Sequence, residues 1–553
     1  MRTAVIKHIE KYLHSSVSRY RGKIRPDVSF GPEGMALDSV EVLMLLMEVE
    51  DTFGVIIPPE NYADIRSIGD LCAQVVQLAA PWDFCLNCKG RPEDVALDTE
   101  AARATYGNLI DGIGFAAEAL WSCGVRPKDR VAILMDSGIS YVVGYFSVFD
   151  VGAIPVLADP NDAAAAAAAV SETQADYILT GGKTEWSGFH ELQTFRADET
   201  KVCLTILGKD TKTAAENTLP EQAVLVHYTS GSTGKPSGVV QSGRSYREMV
   251  FQYAACMGFS SGDRFLMCLP PFHGYGLSCV LLPALYSGAA VVLMERFLPR
   301  KALTLIDSCR ISHFYGVPAM FELLLQADNG KTEWYKSIRY CCSSSLALDP
   351  QLISRFYDRT GIVIQQEYGS GETGVISYSL HTAIHDGDYS VGSPMQGVSC
   401  RFDEHGQLLV RSAGVALGYV SGEVFPEWYP TGDRAELADG QLYLRGRIKK
   451  LLDVGGKKVA AEEVDSVLQR CPGVRQAASF QLRESNGISY IGAFVCLEDG
   501  AAADMQSILA FCSQQLEYYK IPKKIIPVDD IPLSAAGKIS SETMERLKQK
   551  YNI

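Results

Sequence analysis

The chain has 553 residues, more than one hydrophobic core can organise, so we expect about three to five domains. Hydrophobic residues make up 47% and charged residues 21%, as in globular proteins, and the net charge of −14 without a basic stripe argues against a nucleic-acid partner. No apolar run reaches the roughly 20 residues that span a bilayer, no signal peptide is visible, and the 15 scattered cysteines favour reduced thiols, so we expect a cytoplasmic protein without a membrane partner.

The first recognisable element is a helix that begins at Asp38-Ser39, because short polar side chains cap the free N–H groups of a helix start. Apolar residues then recur at helical spacing, namely Val42, Leu45, Leu46, Val49 and Phe53. This stretch resembles the core of an acyl carrier protein, in which Asp-Ser opens a helix that ends before Phe-Gly. The resemblance implies that Ser39 carries 4′-phosphopantetheine, added by a phosphopantetheinyl transferase. An ordinary capped amphipathic helix has the same pattern.

The segment that follows Ser39 is acidic. Between Val40 and Ala80 the chain has seven acidic residues and one basic residue, Arg66. The carrier resemblance implies that this acidic helix docks on partner enzymes, which charge complementarity assists. Downstream synthases or condensing enzymes are therefore expected as further partners.

Apolar strand-like segments alternate with helical segments from Val131 to Thr180, which predicts an α/β domain. The segments are Val131–Met135, Tyr141–Asp150, Ile154–Leu157 and Tyr177–Thr180. The nearly pure alanine run Ala163–Val170 follows capping residues and predicts a short helix, to which we assign no function.

A strand-like stretch, Ala223–Tyr228, leads into a loop rich in Gly, Ser and Thr. The loop comprises Thr229, Ser230, Gly231, Ser232, Thr233, Gly234 and Lys235. Such a loop can bend around a polyanion and offer it N–H and O–H donors, which suits a triphosphate. It is not a Walker A sequence, and Pro236 disfavours a helix directly after it. Taken alone, the loop is also compatible with a surface turn.

This loop resembles the phosphate-binding loop of the adenylate-forming superfamily, which includes acyl-CoA synthetases, adenylation domains of peptide synthetases, and luciferases. The resemblance implies that the loop holds the β- and γ-phosphates of ATP. Relatives usually have Lys where this chain has Ser237, so Lys235 is the candidate to supply that charge.

Four further segments resemble the other motifs of this superfamily in the same order: Gln366–Gly374, Tyr429–Asp433, Arg445–Lys449 and Pro532–Ile539. In the first of them, the resemblance implies nucleotide contacts from Glu367, Tyr368 and Gly369. Glu372 is the implied Mg²⁺ ligand, together with Thr229. Gly371 stands where Thr is usual, a departure expected to loosen one hydroxyl contact to the nucleotide.

The later motifs complete the predicted nucleotide site and a mobile lid. The resemblance implies that Asp433 binds the ribose hydroxyls with help from Arg447, and that Lys538 is catalytic, since carboxylate and phosphates are both anionic and need cations nearby. Lys449 falls at the expected pivot of the lid. Gly455-Gly456 falls where the rotated lid would present a bare strand to a thiol arm, although Asp453–Lys457 also fits a simple hairpin turn.

The acyl pocket is predicted from Pro270–Ser278, which resembles the segment that lines it in relatives. His273 matches an aromatic gate and is assigned a catalytic role; the substrate contacts are assigned to His273, Gly274, Tyr275, Ser278 and Ser343. Amino-acid-activating domains typically have Asp where this chain has Gly274, and a buried ammonium without a counter-ion is costly. We therefore expect an aryl or short- to medium-chain acyl carboxylate and not an ordinary α-amino acid. The serines of Ser343–Ser345 indicate either a partly polar pocket or nucleotide contacts.

Together these features predict an α/β protein with a carrier (1–80, a small four-helix bundle), a linker (81–92), a large adenylate-forming domain (93–447) and a small α+β lid (448–553). The predicted activity is ATP-dependent activation of a carboxylic acid and its transfer to a phosphopantetheine thiol, with ATP, Mg²⁺ and 4′-phosphopantetheine as cofactors. Two alternatives stay open: an acyl-CoA ligase with a vestigial carrier, and a carrier or docking protein whose adenylating half is inactive. Loading of the same chain or of another carrier is equally compatible with the sequence.

Overall fold

The computed structural model describes residues 1–17, 24–53, 55–80, 83–182, 185–197, 200–210, 219–229, 237–346, 348–380, 384–385, 388–448, 451–454, 457–483, 489–498, 504–533, 539, 541–551 and 553. The described part of the N-terminal domain consists of α1 (Arg2–Ser16), α2 (Ser39–Phe53), a 3₁₀ turn (Pro59–Asp64) and α3 (Ile68–Ala79). These elements enclose a core of their own, to which the predicted helix contributes Leu45, Leu46 and Val49. Within the described ranges no helix is long and apolar enough to cross a membrane.

The predicted cap of α2 is confirmed. Asp38 Oδ1 accepts hydrogen bonds from the backbone nitrogens of Val40 at 2.9 Å and Glu41 at 2.8 Å, and Glu41 bonds back to the Asp38 nitrogen. Ser39 is therefore held at the helix start with its side chain exposed. The outer face of α2 is more apolar than the acidic composition suggests, because these residues are all exposed: Val40, Leu43, Met44 and Met47.

The larger domain contains helices and strands in α/β order. Its helices are α4 (Phe84–Asn87), α5 (Tyr106–Ser122), α6 (Ile139–Val151), α7 (Ala163–Glu172), α8 (Gly243–Arg247), α9 (Tyr253–Met257), α10 (Leu282–Tyr286), α11 (Pro299–Ser308), α12 (Pro318–Ala327) and α13 (Pro350–Thr360), with π-helical turns at Glu248–Gln252 and Tyr275–Leu281 and a 3₁₀ turn at Thr332–Tyr335. The strands are β1 (Val95–Asp98), β2 (Arg103–Thr105), β3 (Arg130–Ile133), β4 (Ile154–Leu157), β5 (Tyr177–Thr180), β6 (Phe189–Ala197), β7 (Val202–Lys209), β8 (Ala223–Thr229), β9 (Ser237–Ser242), β10 (Arg264–Met267), β11 (Ala290–Leu293), β12 (His313–Gly316), β13 (Tyr340–Ser343), β14 (Ile364–Ser370), β15 (Gly374–Tyr378), β16 (Ile384–His385), β17 (Asp388–Tyr389), β18 (Ser393–Pro394), β19 (Ser399–Phe402), β20 (Gln407–Arg411), β21 (Gly418–Tyr419), β22 (Tyr429–Ala438) and β23 (Gln441–Arg447).

Three sheets contain most of these strands, and β16 and β17 form a separate two-stranded sheet within the described residues. In the described residues the first has the order β21-β9-β8-β4-β3-β5-β7-β6, the second β18-β15-β14-β13-β12-β10-β11-β1-β2, and the third β19-β20-β22-β23. Strands β3, β4, β5 and β8 run parallel in the first sheet, as do β10 to β14 in the second. Parallel strands end at the same edge, so the motifs that follow β8, β12, β13 and β14 lie at the carboxyl ends of their sheets.

The alanine run forms α7, as predicted, and it supports the strand that leads to the predicted phosphate-binding loop. The Tyr228 hydroxyl on β8 donates hydrogen bonds to the Ala168 carbonyl at 3.2 Å and to Glu172 Oε2 at 3.0 Å. Methyl side chains let the helix lie close to the sheet, where Ala166 and Ala169 are buried.

The C-terminal domain is α+β, as predicted. Its elements are β24 (Leu451–Val454), β25 (Lys457–Ala460), α14 (Ala461–Gln469), β26 (Val474–Arg483), β27 (Ser489–Leu497), α15 (Met505–Gln515), a 3₁₀ turn (Tyr518–Lys520), β28 (Lys524–Pro527) and α16 (Ser541–Lys550). Strand β27 lies between antiparallel β26 and parallel β28. Val464, Val495 and Ile508 bury a separate core between this sheet and its helices.

The carrier docks on the larger domain through α1. Thr3 Oγ1 donates a hydrogen bond to Asp150 Oδ2 at 2.5 Å, and the Met1 nitrogen donates to the Asp150 carbonyl. Lys7 Nζ pairs with Glu118 Oε2 at 3.1 Å. Because Asp150 is almost fully buried, the contact excludes water at its centre.

A cavity of about 490 Å³ shows where the carrier sits relative to the first sheet. Met1 and Ala79 line it from the carrier, and Ile154 and Ala223, which begin β4 and β8, line it from the larger domain. The carrier therefore lies at the amino ends of these parallel strands. Thr229 is at the other end of β8, six residue steps or roughly 20 Å away.

The segment expected to be a linker packs against the larger domain from Asp83 onward. Asp83 caps α4, and Phe84 is buried in the core, where its ring stacks on Phe146 with centroids 4.3 Å apart. Phe84 also meets Tyr286 edge to face. The buried aromatic side chain explains the difference from the expected linker, because its burial anchors this part of the chain.

Candidate active site

Asp433, the predicted ribose ligand, joins two other predicted residues. Its Oδ1 pairs with Arg447 Nε at 2.8 Å, and its Oδ2 accepts a hydrogen bond from the Tyr368 hydroxyl at 2.6 Å. The first contact follows from strand pairing, since Asp433 on β22 lies opposite Arg447 on β23. Burial and the neighbouring carboxylate raise the pKa of Tyr368 well above its usual value, so its hydroxyl stays a donor.

The turn between β14 and β15 carries Glu372. Gly369 is required at its entrance, because a Cβ there would lie 2.3 Å from a backbone oxygen across the turn. Glu372 Oε1 accepts a hydrogen bond from the Tyr419 hydroxyl at 2.9 Å, and Gln241 Nε2 donates to the Gly371 carbonyl at 2.8 Å. These contacts hold the turn beside the end of β8.

His227 and Thr229 occupy the end of β8 that faces this turn. A Cβ on Gly371 would lie 2.6 Å from His227 Nε2 and 2.8 Å from Thr229 Cγ2. Burial lowers the pKa of His227 to about 4, although the Glu372 carboxylate and the Gly371 carbonyl act in the opposite direction. A neutral imidazole therefore lies between the predicted phosphate and metal ligands.

Glu367, predicted to contact the nucleotide, has its carboxyl group in the core. Tyr253 donates a hydrogen bond to Glu367 Oε2 at 2.6 Å, and the Tyr253 and Tyr315 hydroxyls lie 3.1 Å apart. Burial raises the pKa of Glu367 to about 7, with Tyr253 and Cys279 acting in the opposite direction. We therefore expect only the backbone of Glu367 to face the nucleotide.

The predicted acyl-pocket residues meet at the carboxyl ends of β12 and β13. The Tyr275 hydroxyl lies 3.1 Å from the Cys342 carbonyl and 3.4 Å from the Gly316 carbonyl. Ser343 pairs with Gly316 in the strand register, and its buried Oγ has no hydrogen-bond partner within the described residues. Ser278 is buried one turn after Tyr275, in the same π-helical segment.

His273 and Gly274 precede that segment. The Tyr275 nitrogen lies 3.4 Å from His273 Nδ1, and the His273 side chain is half-buried. A Cβ on Gly274 would meet no atom within 4 Å, so open space lies beside this position. This open space is large enough for a substrate group to lie next to Gly274.

Several predicted residues lie outside the described residues. They are Ser230, Gly231, Ser232, Thr233, Gly234 and Lys235 of the loop, Lys449 and Gly455-Gly456 of the lid, and the catalytic candidate Lys538. Their assigned roles therefore stay predictions. Of the loop, Thr229 is described, with its hydroxyl 3.5 Å from the Ser237 carbonyl.

The described residues fit a polar ligand. Among them, these buried polar atoms of the site have no protein partner: His227 Nε2, Gln241 Oε1 and Ser343 Oγ. Leaving such atoms unpaired is costly, and a nucleotide or carboxylate would satisfy them. For a metal the described residues contain no group of three or more His, Cys, Asp or Glu side chains, so Mg²⁺ would rely on Glu372 and on phosphate oxygens.

Three residues of the site were not predicted from the sequence: His227, Gln241 and Tyr253. Gln241 and Tyr253 gave no signal, since each acts through a contact more than 100 positions away in the chain. His227 did give one: it directly precedes the Tyr-Thr of the loop, while Gly371 departs from the usual Thr. The structure shows that the two positions share one space.

Three protein families match segments of the chain. Residues 84–420 match the AMP-binding enzyme family, residues 463–538 match the AMP-binding enzyme C-terminal domain, and residues 20–75 match the phosphopantetheine attachment site family. The chain is 27% identical to an oxalate–CoA ligase of Arabidopsis thaliana, over 79% of this chain and 91% of that protein. It is also 27% identical to a feruloyl-CoA synthase of Amycolatopsis sp, over 82% and 96%.

Solved structures share the fold. The o-succinylbenzoate CoA synthetase of Bacillus subtilis, in complex with its acyl-adenylate intermediate, has a TM-score of 0.70 and 25% identity over 84% of this chain and 97% of its own. ATP-bound MatB from Rhodopseudomonas palustris has a TM-score of 0.70 and 22% identity over 86% and 99%. Because the AMP-binding match covers more than half of the chain, the chain belongs to the AMP-binding enzymes, and it carries an N-terminal phosphopantetheine attachment domain.

Proposed function

We propose that this acid–thiol ligase activates a carboxylic acid with ATP and transfers the acyl group to a 4′-phosphopantetheine thiol on Ser39. One observation carries the proposal: Ser39 is exposed and capped at the start of α2, in the same chain as the Tyr368–Asp433–Arg447 contact. The acid is an aryl or short- to medium-chain acyl carboxylate. Gly274 offers no counter-ion to the ammonium of an ordinary α-amino acid.

In the first step a carboxylate oxygen attacks the α-phosphorus of ATP, the bond from that phosphorus to the β-bridging oxygen breaks, and pyrophosphate leaves. Asp433 accepts hydrogen bonds from the ribose hydroxyls, while Arg447 and Tyr368 hold its two oxygens. Lys538 neutralises the reacting anions. Glu372 and Thr229, together with phosphate oxygens, would hold Mg²⁺, which would supply further charge neutralisation.

In the second step the arm's sulfur attacks the acyl carbon, the bond from that carbon to the phosphate oxygen of AMP breaks, AMP leaves, and the thiol proton passes to solvent. We expect the lid to pivot at Lys449 between the steps, which removes Lys538 and brings Gly455-Gly456 to the thiol arm. His273 would gate the acyl pocket.

The free cysteines of the chain suit a reducing, cytosolic compartment.

The docked carrier supports loading between two copies of the chain. Ala80 and Asp83 are both buried, and the chain between them can span at most about 11 Å. While the carrier stays docked, the roughly 20 Å length of β8 lies between its docking face and Thr229. We therefore propose that the Ser39 arm is acylated by the adenylating domain of a second copy.

Intact mass spectrometry tests the activity. Phosphopantetheinylated protein is incubated with ATP, Mg²⁺ and a panel of aryl and short-chain acids, and we expect an acyl mass increment that Ser39→Ala abolishes. Covalent acyl mass on the arm of Ser39→Ala protein would contradict the Ser39 assignment. Acyl-CoA formation faster than self-loading would favour the acyl-CoA ligase alternative. The CoA ligases among the relatives are the reason to test for it. No pyrophosphate release with any acid would support the inactive docking protein.

A mixing experiment tests loading between copies. Ser39→Ala protein can adenylate but has no arm, and Lys538→Ala protein has the arm but is expected not to adenylate. In the mixture we expect acyl mass on the Lys538→Ala chain, which alone stays unloaded. If the wild type loads itself and the mixture does not, loading occurs within one chain.

A further inference from the structure

The imidazole of His227 occupies a position that the proposed function leaves unused. His227 lies on β8, two residues before Thr229, and its side chain is almost fully buried. The Gly371 carbonyl acts on the ring, as its effect on the pKa of His227 shows, but no well-formed hydrogen bond joins Nε2 to any of the described residues. A buried nitrogen without a well-formed hydrogen bond is costly, and a ligand oxygen that accepts from it would remove that cost.

The space around Nε2 identifies the ligand's position. A Cβ on Gly371 would lie 2.6 Å from this nitrogen and 2.8 Å from Thr229 Cγ2, both closer than real Cβ contacts allow. The Gly371 carbonyl is already held by Gln241 Nε2 at 2.8 Å, so the turn cannot easily retreat. The imidazole therefore fills the place that a side chain at position 371 would take, beside Thr229 and Glu372.

We propose that His227 donates a hydrogen bond from Nε2–H to a phosphate oxygen of the bound nucleotide and so replaces a hydroxyl contact from position 371. The proposal rests on the proposed use of ATP. Phosphate oxygens only accept hydrogen bonds, and an imidazole N–H is a suitable donor to them. His227 then explains why position 371 is glycine, because only a residue without a Cβ leaves room for the imidazole ring.

A double-variant cycle tests whether His227 replaces the hydroxyl contact from position 371. The measurement is equilibrium binding of ATP and Mg²⁺ in the absence of acid. His227→Ala loses a hydrogen bond to a charged group, so we expect roughly tenfold to hundredfold weaker binding. Gly371→Thr alone also weakens binding, because its side chain overlaps the ring. The double variant His227→Ala/Gly371→Thr removes the overlap and restores a hydroxyl, so we expect recovery to within about threefold of wild type.

Adenosine serves as the second probe, because it has the base and ribose but no phosphate. His227→Ala should bind adenosine as the wild type does, which also shows that the variant is folded. His313→Ala is the matched control: His313 is similarly buried, but its Nδ1 lies 2.8 Å from Ser312 Oγ, on β12. We expect it to change the unfolding midpoint but not ATP affinity.

Three results would overturn the inference. They are unchanged ATP affinity in folded His227→Ala protein, equal losses for adenosine and ATP, and a double variant that binds no better than the weaker single variant. A wild-type protein that binds no ATP would remove the proposed function and this inference together. Wild-type binding with any of the three results would remove the inference alone.

Discussion

Replacing Glu367 by Gln should change how stability depends on pH. The carboxyl group is buried with Tyr253, and its pKa is raised from 4.5 to about 7. A raised carboxyl pKa means that the folded protein keeps a proton that the unfolded chain releases. The stabilisation is therefore complete below pH 4.5 and is lost as the pH rises through 7.

The size of the effect follows from the two pKa values. At about 1.4 kcal/mol per pKa unit, the wild type should lose about 3 kcal/mol of unfolding free energy between pH 4.5 and pH 8 through this group. Glu367→Gln is neutral at all pH values and keeps a similar shape. It should therefore resemble the wild type at pH 4.5 and be more stable than it at pH 8.

Urea unfolding of both proteins at several pH values measures the effect, followed through the transition of the larger domain because a multidomain chain need not unfold in one step. Only the difference between the two proteins matters, since other buried groups titrate equally in both. Parallel curves of free energy against pH would refute the assignment of a protonated core carboxyl. Glu404→Gln removes an exposed carboxylate and is the control for a general effect of the change in net charge.

Three further predictions concern separate parts of the molecule. Tyr368→Phe removes a bond to the Asp433 carboxylate, so we expect roughly tenfold weaker ATP binding in calorimetry with little change in the unfolding midpoint; unchanged affinity would contradict the role given to this contact. Phe84→Ala leaves a cavity beside Phe146, and we expect a loss of about 3–5 kcal/mol in unfolding free energy; a loss below about 1 kcal/mol would show that the anchor is weak. Ser343→Ala removes an unpaired buried hydroxyl, so we expect about 1 kcal/mol higher stability without ligand and a higher KM for the acid; an unchanged KM would place Ser343 outside the pocket.

The motifs predicted which residues of the candidate site lie together, because the residues of one binding site have to be close in space. Asp433, Arg447 and Tyr368 were assigned from separate motifs, and the structure brings them within hydrogen-bond distance. The caps and the helical spacing in α2 were likewise readable, since they are local. A helix cap and apolar residues at helical spacing involve only residues that are close in the sequence, so they can be predicted without knowing the rest of the fold.

Contacts between distant segments were not predictable. The core position of the Glu367 carboxyl depends on Tyr253, over 100 residues earlier, and no local pattern links the two. The docking of α1 depends on the buried carboxylate of Asp150, which the sequence shows only as the last residue of the apolar segment Tyr141–Asp150. The sequence predicts a linker around Phe84 because proline and glycine residues flank it. The structure shows instead that its side chain is buried in the core of the larger domain.

The short connection between the carrier and Phe84 also has a consequence for competition. Because Ala80 and Asp83 are both buried, a carrier that leaves its docking surface stays near it at an effective concentration on the order of millimolar. A contact with a Kd of about 1 mM between separate domains would then still be closed about half of the time. Free carrier domain added at micromolar concentration could not displace the attached one. Occupancy of this surface should therefore be independent of protein concentration, whereas acylation between copies should rise with it.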